Sequence, residues 1–175
     1  MISYGKNLHI IDENRQTGFA IYRSGTPSTH DFKKFCQLGI TEIMVLSGTA
    51  KRYEYRRNKA CPDKIKIVYN NEQNSKEPLS EHFLKKFDKW VSKAKKEGKK
   101  ILFRCECGCH RTGRLAAYYQ MKYQNLSSND AIVLMKKWGK FMFFFPYLNK
   151  QVKALKDHIL DRKCSQRKKY CVTKD

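Results

Sequence analysis

The chain has 175 residues, 41% hydrophobic and 13% aromatic, long enough to bury a core without staples and too apolar for a disordered protein. Lys and Arg number 37 against 16 Asp and Glu, and the resulting charge of +21 predicts attraction to polyanions such as nucleic acid, acidic headgroups or highly phosphorylated small molecules. The longest strongly apolar run, residues 141–145, is far too short to cross a bilayer, and seven cysteines without a secretory-signal pattern imply a reducing, cytoplasmic setting with no disulfide framework.

In chain order, residues 1–15 read as an N-terminal arm and 18–23 as a first strand closed by the turn residues Ser24, Gly25, Thr26 and Pro27. Ser28 or Thr29 caps a helix carrying Phe32, Phe35, Cys36 and Leu38 at helical spacing. Gly39 stops it, and residues 40–46 form a second strand. The polar, basic stretch 48–64 reads as a surface excursion before a strand at 65–69, and 70–78 is a further polar connection. Ser80 caps a helix with Phe83, Phe87, Trp90, Val91 and Ala94 on one face, ended by Gly98. Residues 100–104 suit a buried strand that leads through 105–114 into a helical segment. Ser127 or Ser128 caps another helix, and Pro146 opens a last one running to about Arg162. Residues 163–175 read as a frayed basic tail, and Phe141, Phe143, Phe144 and Phe145 as core or partner-facing packing rather than a membrane foot. With no repeat and no composition break, the whole of 1–175 reads as one α/β domain: a mostly parallel sheet of four or five strands flanked by helices, with its site at the strand C-termini.

The segment between the 100–104 run and the helix has the form Cys-x5-Arg, from Cys105 to Arg111. If Cys105 ends a strand and Thr112 begins a helix, the backbone N–H groups of Glu106, Cys107, Gly108, Cys109 and His110 curl inward as an anion nest at a helix N-terminus. Such surroundings favour thiolate over thiol. Gly108 supplies the positive φ a curled backbone needs, Arg111 offers two parallel donors to two phosphate oxygens, and the Thr112 hydroxyl can donate to the thiolate. Cys105, Cys107, Cys109 and His110 read less well as metal ligands, because Cys-x-Cys-x-Cys is not the spacing of a zinc knuckle. Cys107 and Cys109 read as small fillers in preference to a resolving thiol.

Cys105-x-x-Gly108-x-x-Arg111-Thr112-Gly113 resembles the signature of the protein tyrosine phosphatase superfamily. Tyr22-Arg23-Ser24-Gly25-x-Pro27 is similar to the opening of compact dual-specificity members, and residues 74–79 with the Cys105 loop resemble atypical members acting on inositol polyphosphates, akin to tyrosine-phosphatase-like phytases. The resemblance covers about residues 18–125 and implies a Cys105 phosphoenzyme, substrate binding by Arg111, assistance from Thr112, and no metal or other cofactor. Two positions depart from the family. Arg104 stands where a loop-buttressing His is usual, with expected roles of bonding backbone or adding positive charge. The usual Asp general acid is missing from 70–74, which leaves Glu72 as the nearest competent residue and Glu77 as the next.

Lys51, Arg52, Arg56 and Arg57, with Tyr53 and Tyr55 interleaved, read as the lining of a pocket for several phosphates, an RNA-binding strip being the competing reading; Lys76 joins the pocket. The expected partner is a small anionic phosphorylated substrate, an inositol polyphosphate in first place. Within the same class stand phosphoproteins, served by a tyrosine or dual-specificity phosphatase, and RNA, served by a 5′-triphosphatase. From another class stands a catalytically weak phosphate- or RNA-binding module. Oligomeric state is not legible from sequence.

Overall fold

The computed structural model describes residues 7–174, which contacts group into two compact units, 7–72 with 90–108 and 73–89 with 109–174. The first unit holds a five-stranded sheet: β1 (His9–Asn14), β2 (Phe19–Ser24), β3 (Ile40–Val45), β4 (Lys66–Asn70) and β5 (Lys100–Arg104), in the order β1-β2-β5-β3-β4. β5 pairs in parallel with β2 and β3, β3 pairs in parallel with β4, and β1 pairs antiparallel with β2. This is the mostly parallel α/β sheet expected. The central strand reads as a continuous apolar run because both its faces are covered; Ile101, Leu102 and Phe103 are fully buried.

Helix α1 (Thr29–Gln37) begins at a capping box, with Ser28 Oγ accepting from Asp31 N at 3.1 Å and Asp31 Oδ2 accepting from Ser28 N at 2.8 Å. Its Phe32 and Phe35 pack with Leu8, Ile40, Ile43, Val45, Ile65 and Leu102 in one core. A short helix, α2 (Glu54–Arg57), follows β3. Helix α3 (Glu81–Glu97) is capped by Ser80 Oγ, which accepts from Phe83 N at 3.2 Å. The C-terminal half of α3 belongs to this unit, where Trp90 Nε1 donates to Glu42 Oε2 at 2.6 Å and Lys99 Nζ to Glu42 Oε1 at 2.9 Å. Burial opposes ionisation of Glu42, yet these two donors win and hold its carboxyl below the usual value.

The second unit is helical. α4 (His110–Tyr123) packs against α5 (Ser128–Lys137) and α6 (Pro146–Ile159), burying Leu115, Tyr119, Met135, Leu148 and Val152. Ser127 Oγ caps α5 by accepting from Asp130 N at 3.1 Å, and Pro146 stands in the first turn of α6.

Three expectations need correction. Residues 9–14 are not an arm but strand β1, because the Gly18 turn returns the chain beside β2; residues 1–6 lie outside the described residues. The tail is not frayed through 174: Cys164 bonds Cys171, and Thr173 bridges Ser80. Cys36 also bonds Cys61, so four of the seven cysteines are paired, against the expectation of no disulfide framework. The 48–64 excursion lies largely at the surface, as expected, and is tied down by that second bond, by α2, and by the buried Ala50 and Glu54. No described helix is long and apolar enough to cross a membrane.

Candidate active site

In the first unit, β5 delivers Arg104 and then Cys105 at its C-terminal end, both buried. The Arg104 guanidinium neither bonds backbone nor adds net charge, as the sequence suggested it would. Its Nε and Nη2 donate to the two carboxylate oxygens of Glu54 at 2.6 and 2.5 Å, a bidentate pair with both side chains at 0% exposure. Its Nη1 donates to Ser47 Oγ at 2.9 Å and Thr49 Oγ1 at 3.1 Å, and its guanidinium carbon lies 5.6 Å from the centre of the Tyr53 ring. Glu54 is the one acidic residue in 48–62, the only signal in the sequence that could have marked it.

Beyond Cys105 the loop carbonyls are held from outside. Thr26 N donates to Glu106 O at 2.7 Å, while Gly108 O accepts from Arg23 Nη2 at 2.6 Å and Asn7 Nδ2 at 2.9 Å. In a trans peptide the N–H points opposite to the C=O, so the amides of Cys107 and Cys109 face away from these partners. Gly108 has φ of 70°, and a Cβ there would fall 2.6 Å from Gly25 N; one on Gly25 would fall 2.9 Å from the Cys107 carbonyl carbon. Both glycines are needed for this backbone contact. The sequence reading placed Gly25 in a turn and Arg23 and Gly25 in the family resemblance, but assigned none of Arg23, Asn7 and Gly25 a role in holding the loop, since their partners are backbone atoms about 80 to 100 residues away.

In the second unit, Cys109 is the N-cap of α4 and supplies no side-chain cap; its carbonyl accepts from Gly113 N at 3.0 Å. The first amides of α4 thus end in a helix terminus suited to an anion. His110 stacks on Phe145 with ring centres 3.7 Å apart, and its Nε2 lies 2.9 Å from Lys140 O. Arg111 is half-buried, with Nη1 3.4 Å from Gln73 O. Thr112 is fully buried and its hydroxyl has no hydrogen-bond partner among the described residues, a costly state for a polar atom with no role. Arg114 is buried and fastens the 74–77 connection: its guanidinium donates to Glu77 O, to Asn74 O at 3.2 Å and to Gln151 Oε1 at 2.5 Å. It therefore fits neither a surface role nor a substrate contact.

Of the remaining candidates, Lys51, Arg52 and Arg56 are exposed and Arg57 is half-buried, all in the first unit. Arg52 and Arg57 both lie over the Tyr53 ring, at 5.7 and 5.3 Å, so with Arg104 three guanidinium groups gather around one aromatic ring. Glu72 is exposed, in the same unit, and its backbone bridges to Ser47. Glu77 and Lys76 are exposed in the second unit, where Lys76 borders a groove with Tyr147, Lys168 and Tyr170. Cys105, Cys107 and Cys109 are in no disulfide, and no described group of three or more His, Cys, Asp or Glu could hold a metal ion.

Comparison with known proteins gives a consistent result. The family model described as dual specificity phosphatase, catalytic domain, matches residues 22–158. The tyrosine-protein phosphatase vhp-1 of Caenorhabditis elegans is 32% identical over 90 residues, 49% of this chain but only 14% of that protein. Among solved structures, Tk-PTP in the active form superposes with a TM-score of 0.64 at 18% identity, covering 90% of this chain and 99% of that one. The core catalytic domain of the PP-IP phosphatase SIW14 from S. cerevisiae, in complex with citrate, superposes with a TM-score of 0.66 at 19% identity, covering 91% of this chain and 92% of that one.

Proposed function

We propose that this chain, which belongs to the dual specificity phosphatase catalytic-domain family and is a cysteine-dependent phosphatase, works through a Cys105 phosphoenzyme on substrates that carry several phosphates, inositol polyphosphates first among them. The Cys105 thiolate attacks phosphorus, the bond from phosphorus to the leaving oxygen breaks, and that oxygen takes a proton from Glu72. Water then gives a proton to the Glu72 carboxylate and attacks the phosphocysteine, the S–P bond breaks to return the Cys105 thiolate, and orthophosphate departs. Arg111 and the amides of 106–110 hold the phosphoryl oxygens throughout, and the buried Thr112 hydroxyl donates to the sulfur, which gives that orphaned atom a partner. No metal enters the cycle.

The observation that carries the reading is the fastening of the loop carbonyls of Glu106 and Gly108 by Thr26, Arg23 and Asn7, which commits the adjoining amides to the opposite side. Glu72 is supported as the acid by its bridge to Ser47, whose hydroxyl accepts from Arg104, the residue before Cys105. The exposed Lys51, Arg52 and Arg56 and the net charge of +21 support a polyphosphorylated substrate, as does the likeness to a PP-IP phosphatase. The family match runs through residues of both units, which supports one catalytic domain over 1–175. A second reading, a phosphoprotein substrate, is favoured by the identity to a tyrosine-protein phosphatase.

Orthophosphate release by wild type and Cys105→Ser, in chelator, on inositol polyphosphates, a phosphotyrosine peptide and 5′-triphosphorylated RNA tests the assignment. Fastest release from inositol polyphosphates, abolished in Cys105→Ser, is the expected result. Turnover that survives in Cys105→Ser removes the nucleophile, and preference for peptide or RNA removes the substrate class.

A further inference from the structure

We infer that the turn between α5 and α6 is a membrane-docking tip that seats on an anionic lipid bilayer, an interaction beyond the phosphatase reading and independent of it. Phe141, Phe143 and Phe144 are 66%, 73% and 67% exposed, large values for a side chain that gains by leaving water. Of the core or partner-facing packing that the sequence suggested in preference to a membrane foot, the core half therefore fails for all three. Phe143 and Phe144 lie with ring centres 4.0 Å apart and form one apolar knob, while Phe141 holds a left-handed φ of 55° that bulky residues avoid. The chain thus accepts local strain in the turn that displays these rings.

The charge around the knob identifies the occupant. From residue 131 to 156 the chain has six lysines and no Asp or Glu. Lys136, Lys137 and Lys140 flank the tip and are exposed, and Lys137 lies 5.0 Å from the centre of the Trp138 ring. Exposed aromatics with exposed lysines and an indole within a few residues match the chemistry of an anionic bilayer surface: acyl chains, interfacial zone, negative headgroups. A protein partner would need an acidic rim around an apolar socket; a second copy of this chain, itself strongly basic, offers the wrong charge for that rim.

The tip is not a remote appendage of its unit. Phe145 stacks on His110 and Lys140 O contacts the same ring, so the turn is braced against the residue before Arg111 at the start of α4. Docking the knob would bring the Arg111 end of α4 towards the headgroups, where phosphorylated lipids or soluble anions gathered at the surface are concentrated.

Vesicle sedimentation of the full chain, with phosphatidylcholine alone and with added phosphatidylserine, tests the inference. Each lysine at an anionic surface is worth about fivefold in partitioning, and the two rings together about a hundredfold. Phe143→Ser/Phe144→Ser should therefore lose about a hundredfold in binding to phosphatidylserine vesicles, while its circular dichroism and its orthophosphate release from a soluble substrate stay at wild-type levels. In a Trp90→Phe background, Trp138 emission should shift blue on binding and be quenched by lipids brominated high on the chain. Binding that survives in the double variant, or an unshifted Trp138, would mean that net charge alone adsorbs the protein, and would overturn the inference. Absence of vesicle binding, with or without a dimer that the double variant dissolves, would overturn it too. None of these outcomes bears on the role of Cys105.

Discussion

Glu54→Gln removes the carboxylate bonded to the fully buried Arg104 guanidinium, and the size of the effect follows from what remains. Arg104 keeps Ser47 and Thr49 as acceptors, but hydroxyls do not neutralise charge, and at 0% exposure no water can replace the carboxylate. Removing one member of a buried, hydrogen-bonded ion pair costs about 3 to 5 kcal/mol, against about 0 to 1 kcal/mol for an exposed pair. With a urea m-value of about 2 kcal/mol/M for a domain of this size, the unfolding midpoint should fall by roughly 2 M at unchanged m. Replacing both partners, as Glu54→Leu/Arg104→Met, should recover most of the loss, since two apolar groups leave no orphaned charge. A double-mutant cycle then yields a coupling energy of about 2 kcal/mol or more. Because Arg104 directly precedes Cys105, orthophosphate release by Glu54→Gln should fall even in buffer where the variant is fully folded. A midpoint shift of less than roughly 0.5 M, in the range of a surface pair, would refute the claim that this pair buttresses the loop.

Glu42 ionises below the usual carboxylate value, so its contribution to stability is complete above about pH 4.5 and is lost as pH falls through the depressed folded value. Acid unfolding followed by Trp90 emission should therefore be shallower and start at lower stability in Glu42→Gln; an acid limb identical to wild type would refute the assignment. Cys36→Ser/Cys61→Ser opens a link of 25 residues, worth about 3 kcal/mol by loop entropy, and should lower the melting temperature measurably in the absence of reductant. Equal melting temperatures for the variant and the untreated wild type would show that the pair is not formed in solution.

The strands and helices were legible wherever local chemistry decides them. Ser28, Ser80 and Ser127 announced their helices because a cap depends on a hydroxyl and an amide three residues apart, and the 100–104 run announced a buried strand because both faces of a central parallel strand must be apolar. β1 was missed because its pattern, His9-Ile10-Ile11-Asp12-Glu13-Asn14, is mixed: an edge strand half-exposed on both faces needs no clean alternation. The general acid stayed open between Glu72 and Glu77 because both are exposed carboxylates and spacing alone does not choose between them.

What residue order alone decided was the Cys-x5-Arg segment, since its chemistry lies in seven consecutive residues and in the strand and helix that bracket them. Tertiary structure alone decided how Arg104 is neutralised, which carbonyls hold the loop, which cysteines pair and where the phenylalanines of 141–144 point. Each of these depends on atoms brought together from chain positions that local propensity does not connect: Glu54 is 50 residues from Arg104, Arg23 is 85 from Gly108, and Cys36 is 25 from Cys61. Residue types limit which partners are chemically acceptable, but distance in space selects among them, and that distance exists only once the chain has folded.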